Sequence, residues 1–207
     1  MIDPIDSFSN DGTHPFPETV HKLCTEAIKR AWPHLTTLPI TKDVNELPIF
    51  DEEHYQKATI VSIQDSMLST AWPYAKDEDL DERVKKVMPS VRLAKPGEQL
   101  KFKMKGIAFG FCDIVGPDGC ELEIKVDGEL LEVRDRFDTY CFYSRSTFFV
   151  SHLDEHEQVH EIEITVRALS KDKKEILKDN LSKCEEPLLL EQDVWKVGEM
   201  LILGELA

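Results

Sequence analysis

Basic residues are scarce in this sequence: 25 lysines and arginines stand against 40 aspartates and glutamates in 207 residues, a formal charge of -15. Such a balance repels phosphate backbones and anionic lipid surfaces, so neither nucleic acid nor membrane is an expected partner. Long apolar runs are also lacking. No stretch approaches the roughly 18 consecutive apolar residues of a membrane helix, and the first residues have neither the basic start nor the apolar core of a signal peptide. The chain as given reads as soluble, and its compartment stays open. The cysteines, Cys24, Cys112, Cys120, Cys141 and Cys184, are odd in number and form no CxxC pair. Neither a disulfide framework nor a zinc site is signalled, and buried thiols are the expectation. No fixed-period repeat or low-complexity segment occurs, which argues against solenoids and propellers. Finally, no serine sits in a GDS or GxSxG sequence, so no nucleophile has a recognisable setting.

What is present begins with an ordinary globular composition, 41% hydrophobic and 31% charged, enough for a packed core. In the first part, Val20, Leu23, Cys24, Ala27, Ile28 and Ala31 recur at helical spacing. Pro17 and Glu18 suit its first turn, where a missing N–H costs nothing and a carboxylate meets the positive end of the dipole. The spacing predicts a helix over 17–32, ended by Pro33. Pro33, Pro39 and Pro48 then mark an extended connector, and a change of architecture is expected within 33–57. Residues 76–87 fit a short charged helix or a solvated loop almost equally.

From Lys95 onward the period changes to alternation: Leu100, Phe102 and Met104; Leu122, Ile124 and Val126; Ile162, Ile164 and Val166. Turn signals separate these runs at Pro96-Gly97, at Gly116-Pro117-Asp118-Gly119 and at Asp127-Gly128, the last a strong hairpin pair. Short strands with this punctuation imply a mainly β fold, a β-sandwich or jelly roll. The apolar stretch from Val194 to Leu206 reads as a buried closing strand. Phe142, Phe148 and Phe149 are expected to fill the core. Exposed Tyr140 or Tyr143, with Asp138 or Arg145, could instead serve a sugar-binding face, although Asp138 and Arg145 could equally pair with each other. Cys112 and Cys120 flank the Gly116–Gly119 turn, and two small apolar residues in a sheet are preferred to a disulfide there.

Two groups of residues could carry chemistry. His152-Leu153-Asp154-Glu155-His156 fits the H-x-x-E-H zinc pattern, but that chemistry needs the five residues on a helix, and this polar stretch runs straight into a strand. No metal and no cofactor are expected. Asp11-Gly12-Thr13-His14-Pro15, just ahead of the predicted helix, is more informative. It resembles the DxxH block of SGNH (GDSL-type) hydrolases. Further along, Asp113, Gly116, Pro117 and Asp118, then Val126-Asp127-Gly128, then Arg136, Phe137, Asp138, Tyr140, Cys141, Tyr143 and Arg145, then His160, Ile162 and Ile164 are similar to the β-sandwich appended to a subset of bacterial members.

The resemblance implies a chain divided at about residue 40. Residues 1–40 would be the last loop and helix of an SGNH domain, flavodoxin-like α/β, and 41–207 a jelly-roll-like β-sandwich. It implies that His14 is the general base of a serine triad and Asp11 the carboxylate that orients it. The substrate would be an acylated small molecule or glycan, once an N-terminal segment supplied the serine and the oxyanion blocks. Without them this chain is expected to be catalytically incomplete. A non-catalytic module binding glycan or protein is the alternative, since sandwiches serve many functions. The apolar face of helix 17–32 would pack on the parallel sheet of such a domain, so the isolated chain is expected to self-associate through it.

Overall fold

The computed structural model describes residues 22–35, 58–76, 80, 82–153 and 158–207. Two compact units make up the chain, Met1–His54 and Tyr55–Ala207. In the first, the described element is helix α1, Lys22–Leu35. Pro33 lies inside α1 and does not end it, contrary to expectation. The proline removes one N–H donor, but so near the C-terminus few hydrogen bonds remain to be lost. Cys24, Ala27, Ile28 and Ala31 are all exposed.

The second unit is built on antiparallel strands: β1 (Ala58–Ser62), β2 (Arg92–Ala94), β3 (Gln99–Val115), β4 (Glu121–Val126), β5 (Glu129–Asp135), β6 (Arg145–His152), β7 (Val159–Arg167) and β8 (Trp195–Leu206). Their hydrogen-bonded order is β1-β8-β3-β7-β4-β5, with β2 added to β8 and β6 to β3. The mainly β reading therefore holds.

Strand β3 joins the two halves of the sandwich. Its first part, Gln99–Lys105, pairs with β7, and its second, Ala108–Val115, pairs with β6. Between them the register against β8 shifts at Gly106/Ala108. An extra residue in one strand flips every later side chain to the other face. Leu100, Phe102 and Met104 face the core before the shift, and Phe109 and Phe111 after it. A side chain at Gly106 would meet the Leu203 carbonyl at 2.3 Å, which reserves the position for glycine. Both halves thus contribute to one core with Leu122, Ile124, Ile162, Ile164, Val166, Trp195 and Met200. At its centre Trp195 stands edge-on to Phe111, with centroids 5.2 Å apart. Although β5 and β6 are not paired, Ser151 donates to Glu132 and the Arg134 guanidinium lies 5.0 Å from the Phe149 ring, so they close the open side.

Alternation corrects the aromatic assignment. Phe149 is 3% exposed and Phe148 is 68% exposed, because consecutive strand residues point to opposite faces. Phe142 packs, half-buried, on a second cluster of Val115, Phe137, Cys141, Leu177 and Leu190, where the 136–144 loop meets helix α3 (Lys173–Leu177). A short helix α2 (Glu82–Val87) supplies Val84 to a third cluster, with Met88, Val91 and Ile114, against which Cys112 packs half-buried. The hairpin signal is realised as written: Asp127 and Gly128 have φ of 51° and 85°, the left-handed pair that a two-residue turn with this twist demands.

Candidate functional site

Asp11 and His14 lie outside the described residues. So does most of the histidine-rich stretch. Its first member, His152, ends strand β6 opposite Ala108 and is not on a helix. Among the described residues, no three His, Cys, Asp or Glu side chains converge as metal ligands would.

The remaining motif residues are described, and most of them brace the sandwich. Asp113 is fully buried on β3 and accepts a two-pronged hydrogen bond from Arg136, at 2.7 and 2.6 Å. The Trp195 indole N–H donates to the same carboxylate at 3.1 Å. Burial still raises the Asp113 pKa above its ordinary value, with Arg136 and Trp195 pulling it back. Asp118 pairs with Lys196 at 2.8 Å, and its carbonyl accepts from the Val194 N–H, fixing the Gly116–Gly119 turn to the start of β8. Asp127 accepts from the backbone N–H of Glu161 at 2.8 Å and contacts His160 Nδ1 at 2.7 Å, so the hairpin is tied to β7. The Glu161 N–H first, then His160, holds the Asp127 carboxyl below its usual range.

Residues 136–145 hold their shape in the same way. Asp138 forms an ion pair with Arg145 and accepts from the Tyr140 N–H at 2.8 Å. Its own N–H points at the Cys141 sulfur, 3.2 Å away, which Arg145 also approaches at 3.6 Å. Cys141 is fully buried, and that burial pushes its thiol pKa up. Asn180 donates to the Thr139 carbonyl at 2.8 Å. The mutual pairing of Asp138 with Arg145, one of the two roles open to them, is therefore realised. Tyr140 and Tyr143 are different: they remain 59% and 49% exposed, the Tyr143 ring 4.9 Å from that of Phe142.

The expectation that no serine has a recognisable nucleophile setting, S-x-x-K included, needs one correction. Ser170-Lys171-Asp172-Lys173 has the S-x-x-K pattern of serine–lysine nucleophiles. The geometry argues against that use. Ser170 bonds to Glu121 at 2.7 Å, while Lys173 is paired with Asp193 at 3.1 Å and donates to the Gln192 carbonyl. The two side chains are thus each committed to other partners and not to one another. The adjoining surface cleft, about 360 Å³ between α3 and Leu190–Asp193, is charged but internally neutralised, since Lys171 is paired with Asp135 and Lys174 with Glu191. The two candidate disulfide partners belong to different clusters: Cys120 lies in the main core, Cys112 packs half-buried against the third cluster, and both are free thiols.

No protein-family model matches the chain, and no curated protein matches it in sequence. The fold does have counterparts among solved structures. A two-domain esterase (CEX) active on acetylated mannans, co-crystallised with mannopentaose, matches with a TM-score of 0.62 and 11% identity over 98% of this chain and 50% of its own. A second structure of a two-domain esterase (CEX) active on acetylated mannans matches with a TM-score of 0.61 and 12% identity over 96% of this chain and 50% of that one. The chain spans about half the length of those esterases. At such identities what is shared is the fold.

Proposed function

We propose that this chain is the C-terminal part of an SGNH-type ester hydrolase acting on acylated, for example acetylated, carbohydrate. In this reading residues 1–40 complete the hydrolase domain and 41–207 form its β-sandwich. The observation that carries it is Asp11-Gly12-Thr13-His14-Pro15 ahead of the stretch with helical apolar spacing that contains α1, in one chain with the sandwich motif residues. The likeness along nearly the whole chain to an esterase active on acetylated mannans supports it.

His14 would take the proton of a serine supplied by a segment outside these residues, and Asp11 would hold the imidazole in the tautomer that can accept it. After the alcohol leaves, water would attack the acyl-enzyme with His14 again as base. The test is acetate release from acetylated glucomannan. The 207 residues alone should release none above background. A polypeptide that joins them to a GDS-bearing segment should release it, and His14→Ala should abolish the release. Turnover by the isolated chain that depends on His14, or turnover by the joined polypeptide that survives His14→Ala, would overturn the reading.

A second reading, a non-catalytic module that binds glycan, is favoured by one observation: two tyrosine rings left exposed on a rigidly braced loop.

A further inference from the structure

From residue 136 to residue 145 nearly every large side chain has an internal task. Arg136 clamps buried Asp113, Phe137 and Cys141 fill the second cluster, and Asp138 and Arg145 pair with each other. Tyr140 and Tyr143 stand apart. Each leaves about half of its ring to solvent, which is unusual within a segment otherwise anchored in the core. The backbone beneath them does not have to be ordered by a ligand. It is held by the Asp138 turn on the Tyr140 N–H, by Asn180 on the Thr139 carbonyl and by the buried Cys141. Binding there would avoid most of the ordering cost that mobile loops incur.

The chemistry around the rings selects a ligand class. A pyranose offers an apolar face of C–H bonds ringed by hydroxyls, which suits an aromatic plane beside mixed donors and acceptors. Arg145, with five N–H groups, has donors beyond those facing Asp138 and Cys141, and the Asp138 side chain is half exposed, with acceptor capacity left over. Because these two charges cancel, the pair presents hydrogen-bonding groups without a net charge of its own. The chain as a whole carries -15, which disfavours uronate-rich or sulfated polymers.

We infer that Tyr140 and Tyr143, flanked by the Asp138–Arg145 pair, form a binding platform for neutral hexopyranose chains. This rests on the carbohydrate reading above and names the residues that would meet the polymer.

Affinity electrophoresis tests it, using gels that contain soluble galactomannan or deacetylated glucomannan, with polygalacturonate as the anionic control. The chain should be retarded by the neutral polymers and not by polygalacturonate. Tyr140→Ala/Tyr143→Ala should weaken retardation about tenfold or more, the scale expected when principal aromatic contacts are removed. Tyr140→Phe/Tyr143→Phe should keep most of it, since the ring face is preserved. Ile60→Ala, at a residue 71% exposed on strand β1, should change nothing. A thermal midpoint for each variant separates lost binding from lost fold. Undiminished retardation of a folded double alanine variant would sink the platform and leave the carbohydrate reading standing. Failure of every neutral polymer to retard the wild type would sink the platform as well. The hydrolase reading is judged separately, by acetate release, so the two can fail independently.

Discussion

Replacing Arg136 with methionine keeps much of the side-chain volume and removes its charge, leaving Asp113 fully buried with only the Trp195 N–H as a side-chain donor. Breaking a buried pair from one side costs about 3–5 kcal/mol, because a carboxylate is left uncompensated. For a unit of this size each kcal/mol is worth roughly 2–4 °C, so the midpoint should drop by on the order of 6–20 °C. The pH dependence has a definite sign. Burial already holds the Asp113 pKa above its ordinary value, and losing Arg136 raises it further. Between about pH 4, where the unfolded carboxyl ionises, and that raised value, the folded chain keeps a proton that the unfolded chain has released. Stability of Arg136→Met should therefore fall as pH rises through this window, by up to about 1.4 kcal/mol per unit. Asp113→Asn in the same background removes the slope and recovers at least half of the loss, since no charge stays buried. Urea unfolding at pH 5 and pH 7 measures all three proteins. A single variant within 1 kcal/mol of wild type, or a double variant no more stable than the single, would refute the idea that this pair is strongly coupled.

Further outcomes follow from the same geometry. Asp127 is held below the usual carboxylate range, so its stabilisation is present above about pH 4 and is lost as pH falls through its lower folded value. Asp127→Asn should narrow the difference between unfolding midpoints at pH 6 and pH 3, and an unchanged difference would remove the carboxylate from the argument. Thiol labelling of the native chain should modify exposed Cys24 first, Cys112 and Cys184 more slowly, and buried Cys120 and Cys141 only on unfolding. Burial raises the Cys120 pKa strongly, so rapid labelling there would contradict the core placement. A methyl group at Gly198 would lie 2.5–2.8 Å from three Met88 side-chain atoms. Gly198→Ala should cost about 1–3 kcal/mol in chemical denaturation, and a shorter residue at position 88 should recover part of it. On α1, Ile28 and Trp32 are one turn apart and 59% and 61% exposed. If they drive self-association, Ile28→Lys lowers the sedimentation-average mass, whereas a wild-type chain that is monomeric at high concentration excludes it.

The parts of the fold that were legible in sequence are those fixed by local periodicity. Alternation at Leu100–Met104 and Ile162–Val166 placed those side chains in the core, and Asp127-Gly128 specified its own turn. Period alone could not decide phase. Phe148 and Phe149 are equally apolar, and only the pairing of β6 with the shifted half of β3 selects Phe149 for the interior. The β3 shift did have a local signal, Gly106 within an otherwise alternating run, but apolar periodicity counts side chains and passes over a residue without one. Pro33 looked like a stop because proline disfavours helix interiors, yet within the last turn few hydrogen bonds are left for it to break.

The charged motif residues show why the site was harder to read than the fold. Asp113, Asp118, Asp127, Asp138, Arg136 and Arg145 had the polar, irregularly spaced look of a functional constellation. Each instead meets a partner within the fold, buried for Asp113 and Asp118 and half-exposed for Asp127 and Asp138, at separations that run from 7 residues in Asp138–Arg145 to 78 in Asp118–Lys196. Such pairs hold loops in one geometry at little net gain in stability, because desolvation offsets much of their attraction. Their contribution is therefore positional. They fix the 136–145 loop so that two rings stay largely open to solvent, Tyr143 with one side against Phe142. An aromatic ring that the core leaves about half uncovered is where a rigid scaffold has capacity left for a ligand, and that subtraction, made residue by residue, points to Tyr140 and Tyr143 rather than to the charges around them.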